Sequence, residues 1–134
     1  MLWHSQNFFS LFRSKYVNFV YETYSRASLI MKSEFCNVTI NAPTKKEAEL
    51  IRDELLEEKL VAGANIFQRN CKYWWEGKLD STDYWFVEAE TVIAHKIAII
   101  KLAKELHSDD CPGVVFTPID ANKAFLRWIK ENIR

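Results

Sequence analysis

An α+β fold with an antiparallel sheet is predicted by three features of the chain: a period-two strand, two amphipathic helices and one hairpin between them. Residues 35–42 alternate, with Cys36, Val38 and Ile40 on one side and Asn37, Thr39 and Asn41 on the other, the pattern of a half-buried strand. Pro43 and Thr44 end it, and Thr44 with Glu47 three residues on makes a capping box for a helix. That helix reaches about Lys59, with Ala48, Ile51 and Leu55 on one face. Two extended runs at 61–75 and 79–90 flank Glu76-Gly77, a turn in which glycine takes the positive φ of a tight hairpin. A second helix at 92–106 gathers Ile99, Leu102, Ala103 and Leu106 on one side. Cys111-Pro112-Gly113 breaks it, a short strand follows at 114–119, and Asp120 or Asn122 caps a last helix with Phe125, Trp128 and Ile129 in one stripe.

The order β-α-β-β-α-β plus a C-terminal helix is the ferredoxin-like arrangement, with both crossover helices on one face of the sheet. The fold by itself decides nothing about activity.

Composition narrows the classes. At 134 residues, 49% apolar and 27% charged, the chain suits one folded domain. Eighteen basic and eighteen acidic residues cancel, so no nucleic-acid or membrane partner is expected, and no apolar run approaches the ~20 residues of a bilayer span. Cys36, Cys71 and Cys111 have no paired spacing and read as reduced, buried thiols. Residues 1–33 stand apart as an N-terminal extension to the domain at 34–134: Arg13, Lys15, Arg26 and Lys32 face only Glu22, and Phe8, Phe12, Tyr16 and Phe19 recur at helical spacing. That is the chemistry of a transit peptide; the alternative is a poorly ordered extension or a start at Met31. The expected location is the cytoplasm, or a mitochondrion or plastid if the extension is an address.

Six aromatics, Tyr73, Trp74, Trp75, Tyr84, Trp85 and Phe86, crowd the two hairpin arms. Neighbours on a strand face opposite ways, so one helix layer covers only half of them. The rest form an apolar patch that either an oligomer interface or the C-terminal helix must cover.

Three runs in order, EEKLVAGANIF at 57–67, YWWEGKL at 73–79 and HSDDCPGVVFTPIDANKAFLRWI at 107–129, resemble CutA, the divalent-cation-tolerance family. The resemblance spans about residues 35–132. It implies a ferredoxin-like protomer in a homotrimer, a role in tolerance of copper or another divalent cation by binding the metal ion, and no catalytic reaction. It also implies a likeness to the PII signalling trimers, so the second reading is a trimeric scaffold binding a small ligand or partner at inter-subunit clefts. The family site combines a second-strand cysteine, a histidine after the second helix and the aromatic–lysine hairpin. His107 matches the histidine, and Trp74, Trp75 and Lys78 match the hairpin, while Gly63 stands where relatives carry the cysteine and HSDDCPG replaces HPYEVPE.

A substitute lies in the same loop. His107, Asp109, Asp110 and Cys111 fall within five residues and offer imidazole, carboxylate and thiolate to a borderline metal. His107, Asp110 and Cys111 are the expected metal ligands; the alternative is a polar loop with His107 at the negative end of a helix dipole. Tyr73, Trp74, Trp75, Lys78 and Trp128 are the expected cleft and interface residues. His4 and His95 read as surface histidines. No phosphate loop, nucleophile elbow or HExxH helix occurs, so the expectation is a protein that is not an enzyme.

Overall fold

The computed structural model describes residues 33–134 together with Lys15, Asn18 and Phe19, which have helical backbone. The chain divides into two units, Met1–Lys32 and Ser33–Arg134. The amphipathic helix and transit peptide expected in the first unit otherwise lie outside the described residues.

In the second unit the elements are β1 (Phe35–Ala42), α1 (Lys45–Glu57), β2 (Gly63–Trp75), β3 (Lys78–Val92), α2 (Lys96–Leu106), β4 (Val114–Pro118) and α3 (Lys123–Glu131). The strands form one sheet in the order β2-β3-β1-β4, and every neighbouring pair is antiparallel. This is the ferredoxin-like sheet that the element order predicts.

β1 buries alternate residues throughout. Its Val38, Ile40 and Ala42 meet Val87 and Ala89 of β3, Ala48, Ile51 and Leu55 of α1, and Ile99 and Ala103 of α2 in one core. Both crossover helices therefore share one face of the sheet. Burying each large aliphatic side chain there contributes about 1.5–3 kcal/mol.

The ends of α1 show how local chemistry sets its length. Thr44 Oγ1 accepts the Glu47 N–H at 3.2 Å, half of the expected capping box. The Glu47 carboxylate does not return to the cap; it goes to Ser108. At the other end Lys59 adopts φ 51°, the Lys59 N–H donates to the Leu56 carbonyl, and the Leu60 N–H donates to that of Leu55. Those two bonds make a Schellman motif with lysine where glycine is usual.

Two boundaries differ from expectation. The second helix begins at Lys96, not near Val92, because β3 continues to Val92, which pairs with Phe35, and the Ile93 N–H donates to the Glu34 carbonyl. A single 3₁₀ turn, Ile93–His95, then leads into α2. His95 is not a plain surface residue: its ring lies 3.0 Å from the Leu60 carbonyl and 2.8 Å from Arg134 O. At α3, Asn122 occupies the cap position without a side-chain cap bond, and its carbonyl accepts from Phe125 and Leu126.

Candidate functional site

The hairpin turn sets the register of everything beyond it. Glu76 and Gly77 both have positive φ, 47° and 76°, the combination that a two-residue hairpin loop needs to match strand twist. Trp75 thereby pairs with Lys78, Tyr73 with Asp80, Cys71 with Thr82 and Arg69 with Tyr84. Because paired residues share a face and alternate residues follow them, Cys71, Tyr73, Trp75, Asp80, Tyr84 and Phe86 all project from the face opposite the helices.

The connection from α2 to β4 folds over that same face. Three anchors hold it. His107, at the end of α2, has a fully buried side chain, and its Nε2 lies 2.5 Å from the Asn41 main-chain oxygen. Its Nδ1 accepts the Asp109 N–H at 3.0 Å, which leaves Nε2 to donate to Asn41. At the other end of the loop the Gly113 N–H donates to Asn41 Oδ1 at 2.7 Å, and the Gly113 carbonyl accepts from the Asn41 N–H. Between them the Ser108 N–H and O–H both donate to the Glu47 carboxylate. One strand residue, Asn41, thus holds both ends of the loop.

Hairpin and loop flank an open cavity of about 500 Å³, whose walls include Tyr73, Trp75, Tyr84 and Phe86 with Asp80, and on the loop side Asp109, Asp110 and Cys111. Tyr73 and Tyr84 meet edge to face with centroids 5.9 Å apart. A hydrogen bond to Tyr73, burial and the neighbouring Asp109 carboxylate push the Tyr84 phenol well above its ordinary value.

The residues singled out from sequence separate here. Tyr73, Trp75, Asp110 and Cys111 line the cavity. His107 lies beneath the loop with both ring nitrogens engaged. Lys78, at the hairpin tip, does not line the cavity, and Trp74 pairs with Leu79 on the opposite sheet face. Trp128 lies at the far end of the sheet, against Gly63. Among the described residues no three His, Cys, Asp or Glu side chains converge to hold a metal ion. Sequence reasoning missed Cys71, Asp80 and the anchoring role of Asn41; alternation outward from the Glu76-Gly77 turn carries the signal for the first two. Of the thiols expected to be buried only Cys36 is, Cys71 being half-buried and Cys111 exposed on the loop.

The helix layer does not cover the hairpin's end. Trp74 is 72%, Leu79 51% and Trp75 48% exposed. Nor does α3 cover it, since Trp128 packs at the Gly63 end of the sheet.

Comparison with known proteins agrees with the fold. The family model described as CutA1 divalent ion tolerance protein matches residues 36–132. The divalent-cation tolerance protein CutA of Archaeoglobus fulgidus is 35% identical over 97 residues, covering 72% of this chain and 95% of that one. A solved structure of the periplasmic CutA of the same organism superposes with a TM-score of 0.72 at 34% identity, covering 75% of this chain and 99% of that one. Protein CutA 1, chloroplastic, of Oryza sativa subsp. japonica is 29% identical over 99 residues, covering 72% of this chain and 56% of that one.

Proposed function

The chain belongs to the CutA1 divalent ion tolerance protein family, and from that premise we propose that it serves divalent-cation tolerance as a non-catalytic homotrimer that binds copper or a similar ion. The family match over residues 36–132 carries this reading. The exposed hairpin end supports the oligomer, because a monomer rarely leaves aromatic side chains of that size uncovered. β2 and β4 are also the open edges of the sheet, and unpaired strand edges invite partners.

The donors within one protomer fit an ion incompletely. His107 has no free ring nitrogen, and at the residue 63 position glycine supplies no thiolate. Asp110 and Cys111 are exposed on the anchored loop, with Asp109 half-buried beside them. Asp110 and Cys111 would offer the ion a carboxylate and a thiolate, and a neighbouring copy or water would have to complete the sphere, since no three donors of one protomer converge among the described residues. The bound cation would supply charge and Lewis acidity at the loop. The segment before residue 33 is proposed as the organelle address, tested by fusing it to a fluorescent protein.

Calorimetric titration of the full chain with Cu²⁺, with light scattering for mass, tests the main proposal. Saturable uptake by a trimer, lost in Asp110→Asn/Cys111→Ser, is expected. Weak, unsaturable uptake by an intact trimer would move the function to the scaffold reading, which the absence of a three-donor cluster among the described residues favours.

A further inference from the structure

We propose that the cavity between the hairpin and the 108–111 loop binds a small organic cation, an ammonium group carried on an apolar body.

Its chemistry has two components that rarely suit any other ligand. Four rings, Tyr73, Trp75, Tyr84 and Phe86, line it, and the faces of aromatic rings attract a cation through their quadrupoles. Asp80, Asp109 and Asp110 add three carboxylates from two separate segments, and no Lys, Arg or His lines the space. These carboxylates disfavour an anion, and because the Arg69 guanidinium already lies 5.8 Å from the Phe86 ring centre, the ligand cation falls to Tyr73, Trp75 and Tyr84. A neutral apolar molecule would strip water from carboxylates and leave them unpaired. A bare metal ion gains nothing from the rings and finds no three convergent donors among the described residues. An organic ammonium satisfies both components at once.

Size and rigidity agree. The volume of about 500 Å³ lies within the ~300–1,000 Å³ of small-molecule sites. The loop wall is held at His107, Ser108 and Gly113, so little ordering remains to oppose binding. Tyr84 packs edge to face on Tyr73, and its hydrogen bond to Tyr73, burial and the Asp109 carboxylate raise its phenol further above its ordinary value. It therefore presents a neutral ring to the space.

The same cation chemistry could arrive on a Lys or Arg side chain of a second copy. The Lys78 ammonium of the chain itself does not line the cavity. A test must therefore separate a free ligand from a neighbouring chain, and from metal binding at the loop.

Calorimetry on the full chain, with a chelator in the buffer so that metal uptake does not contribute, compares three probes of one shape: phenethylammonium, phenethyl alcohol and phenylacetate. Phenethylammonium is expected to bind saturably, about tenfold or more tighter than the alcohol, with no binding of phenylacetate. Asp80→Asn/Asp109→Asn should abolish the preference for charge, and Trp75→Ala should weaken the cation alone; circular dichroism checks that each variant is folded. Asp80 and Trp75 are exposed hairpin residues, which makes at least the Trp75 arm independent of the loop anchors. Equal binding of alcohol and amine, undiminished preference in the double carboxylate variant, or no binding of any probe would overturn the proposal. So would an affinity for the amine that falls as protein concentration and assembly rise, since the cation would then come from a neighbouring chain.

Discussion

The indole of Trp128 stands where a side chain at residue 63 would go: a Cβ built on Gly63 lies 3.1 Å from Trp128 Cη2 and 3.1 Å from Glu90 Oε2. Glycine at residue 63 is thus tied to a packing contact, with α3 pressed on the sheet backbone and Phe125 stacked on the indole at 5.4 Å. Gly63→Ala forces one neighbour to yield, and Gly63→Cys adds a sulfur to the same space. A destabilisation of about 1 kcal/mol is expected for alanine and about 2 kcal/mol for cysteine, less any gain from a stiffer unfolded chain. Urea midpoints at fixed protein concentration measure this. The combination with Trp128→Phe should recover part of the loss; strict additivity of the two changes would reject the contact as its cause.

His107 is expected to behave as a structural residue. Replacing its buried ring by alanine empties a cavity and removes the donor to the Asn41 carbonyl, a loss of about 3 kcal/mol. His107→Gln, which keeps an N–H to offer Asn41, should lose less. Hydrogen exchange then reports the loop: the Gly113 and Ser108 amides should lose protection in His107→Ala before the β1–β3 amides do. A ring that served only a ligand would leave both amides as slow as in the unmodified protein.

Most of the fold was legible because its signals are local and repeat. The alternation of Cys36, Val38 and Ile40 and the helical stripe of Ala48, Ile51 and Leu55 each mark a face, and burial follows them. The candidate site was half legible. The Glu76-Gly77 turn and strand alternation together specify that Tyr73, Trp75 and Tyr84 share a face with Cys71 and Asp80. What no local pattern reveals is that residues 107 and 113 dock on a single strand residue, Asn41, 66 and 72 positions away. Four residues with ligand chemistry, His107, Asp109, Asp110 and Cys111, fall within one five-residue stretch, yet the His107 ring is already engaged at both nitrogens. Proximity in sequence says nothing of which donor is already bonded inside the fold. The end of β3 was misjudged because Val92 and Ile93 suit a helix stripe, whereas pairing with Phe35 and Glu34 claims them.

The hairpin turn offers a gain in stability. Glu76 holds φ 47° in the left-handed region, where a residue other than Gly, Asn or Asp costs roughly 1–2 kcal/mol. Glu76→Asn restores the Asn-Gly pair that such loops prefer and is expected to stabilise the protein by up to about 1 kcal/mol. Gly77→Ala tests the converse. Nothing lies within 4 Å of a Cβ built there, so any loss, about 1 kcal/mol, comes from φ alone. Thermal midpoints of the two variants should move in opposite directions.

The last expectation concerns acid. Burial, with a smaller contribution from the like charge of Glu88, raises the Glu90 carboxyl above its ordinary value of 4.5. Across the sheet Glu90 pairs in register with Asn37, whose Oδ1 is buried without a hydrogen-bond partner. A protonated Glu90, or a glutamine in its place, has a donor to offer that oxygen; the carboxylate has none. Because the folded value lies above the unfolded one, folding favours the protonated form. Its stabilising effect is complete below the unfolded pKa and is lost as pH rises through the folded pKa. Glu90→Gln should therefore raise the urea midpoint near neutral pH. That advantage should shrink steadily as pH falls toward the ordinary glutamate value and be smallest below it. A difference between the two proteins that is the same at every pH would mean that Glu90 is not the group responsible.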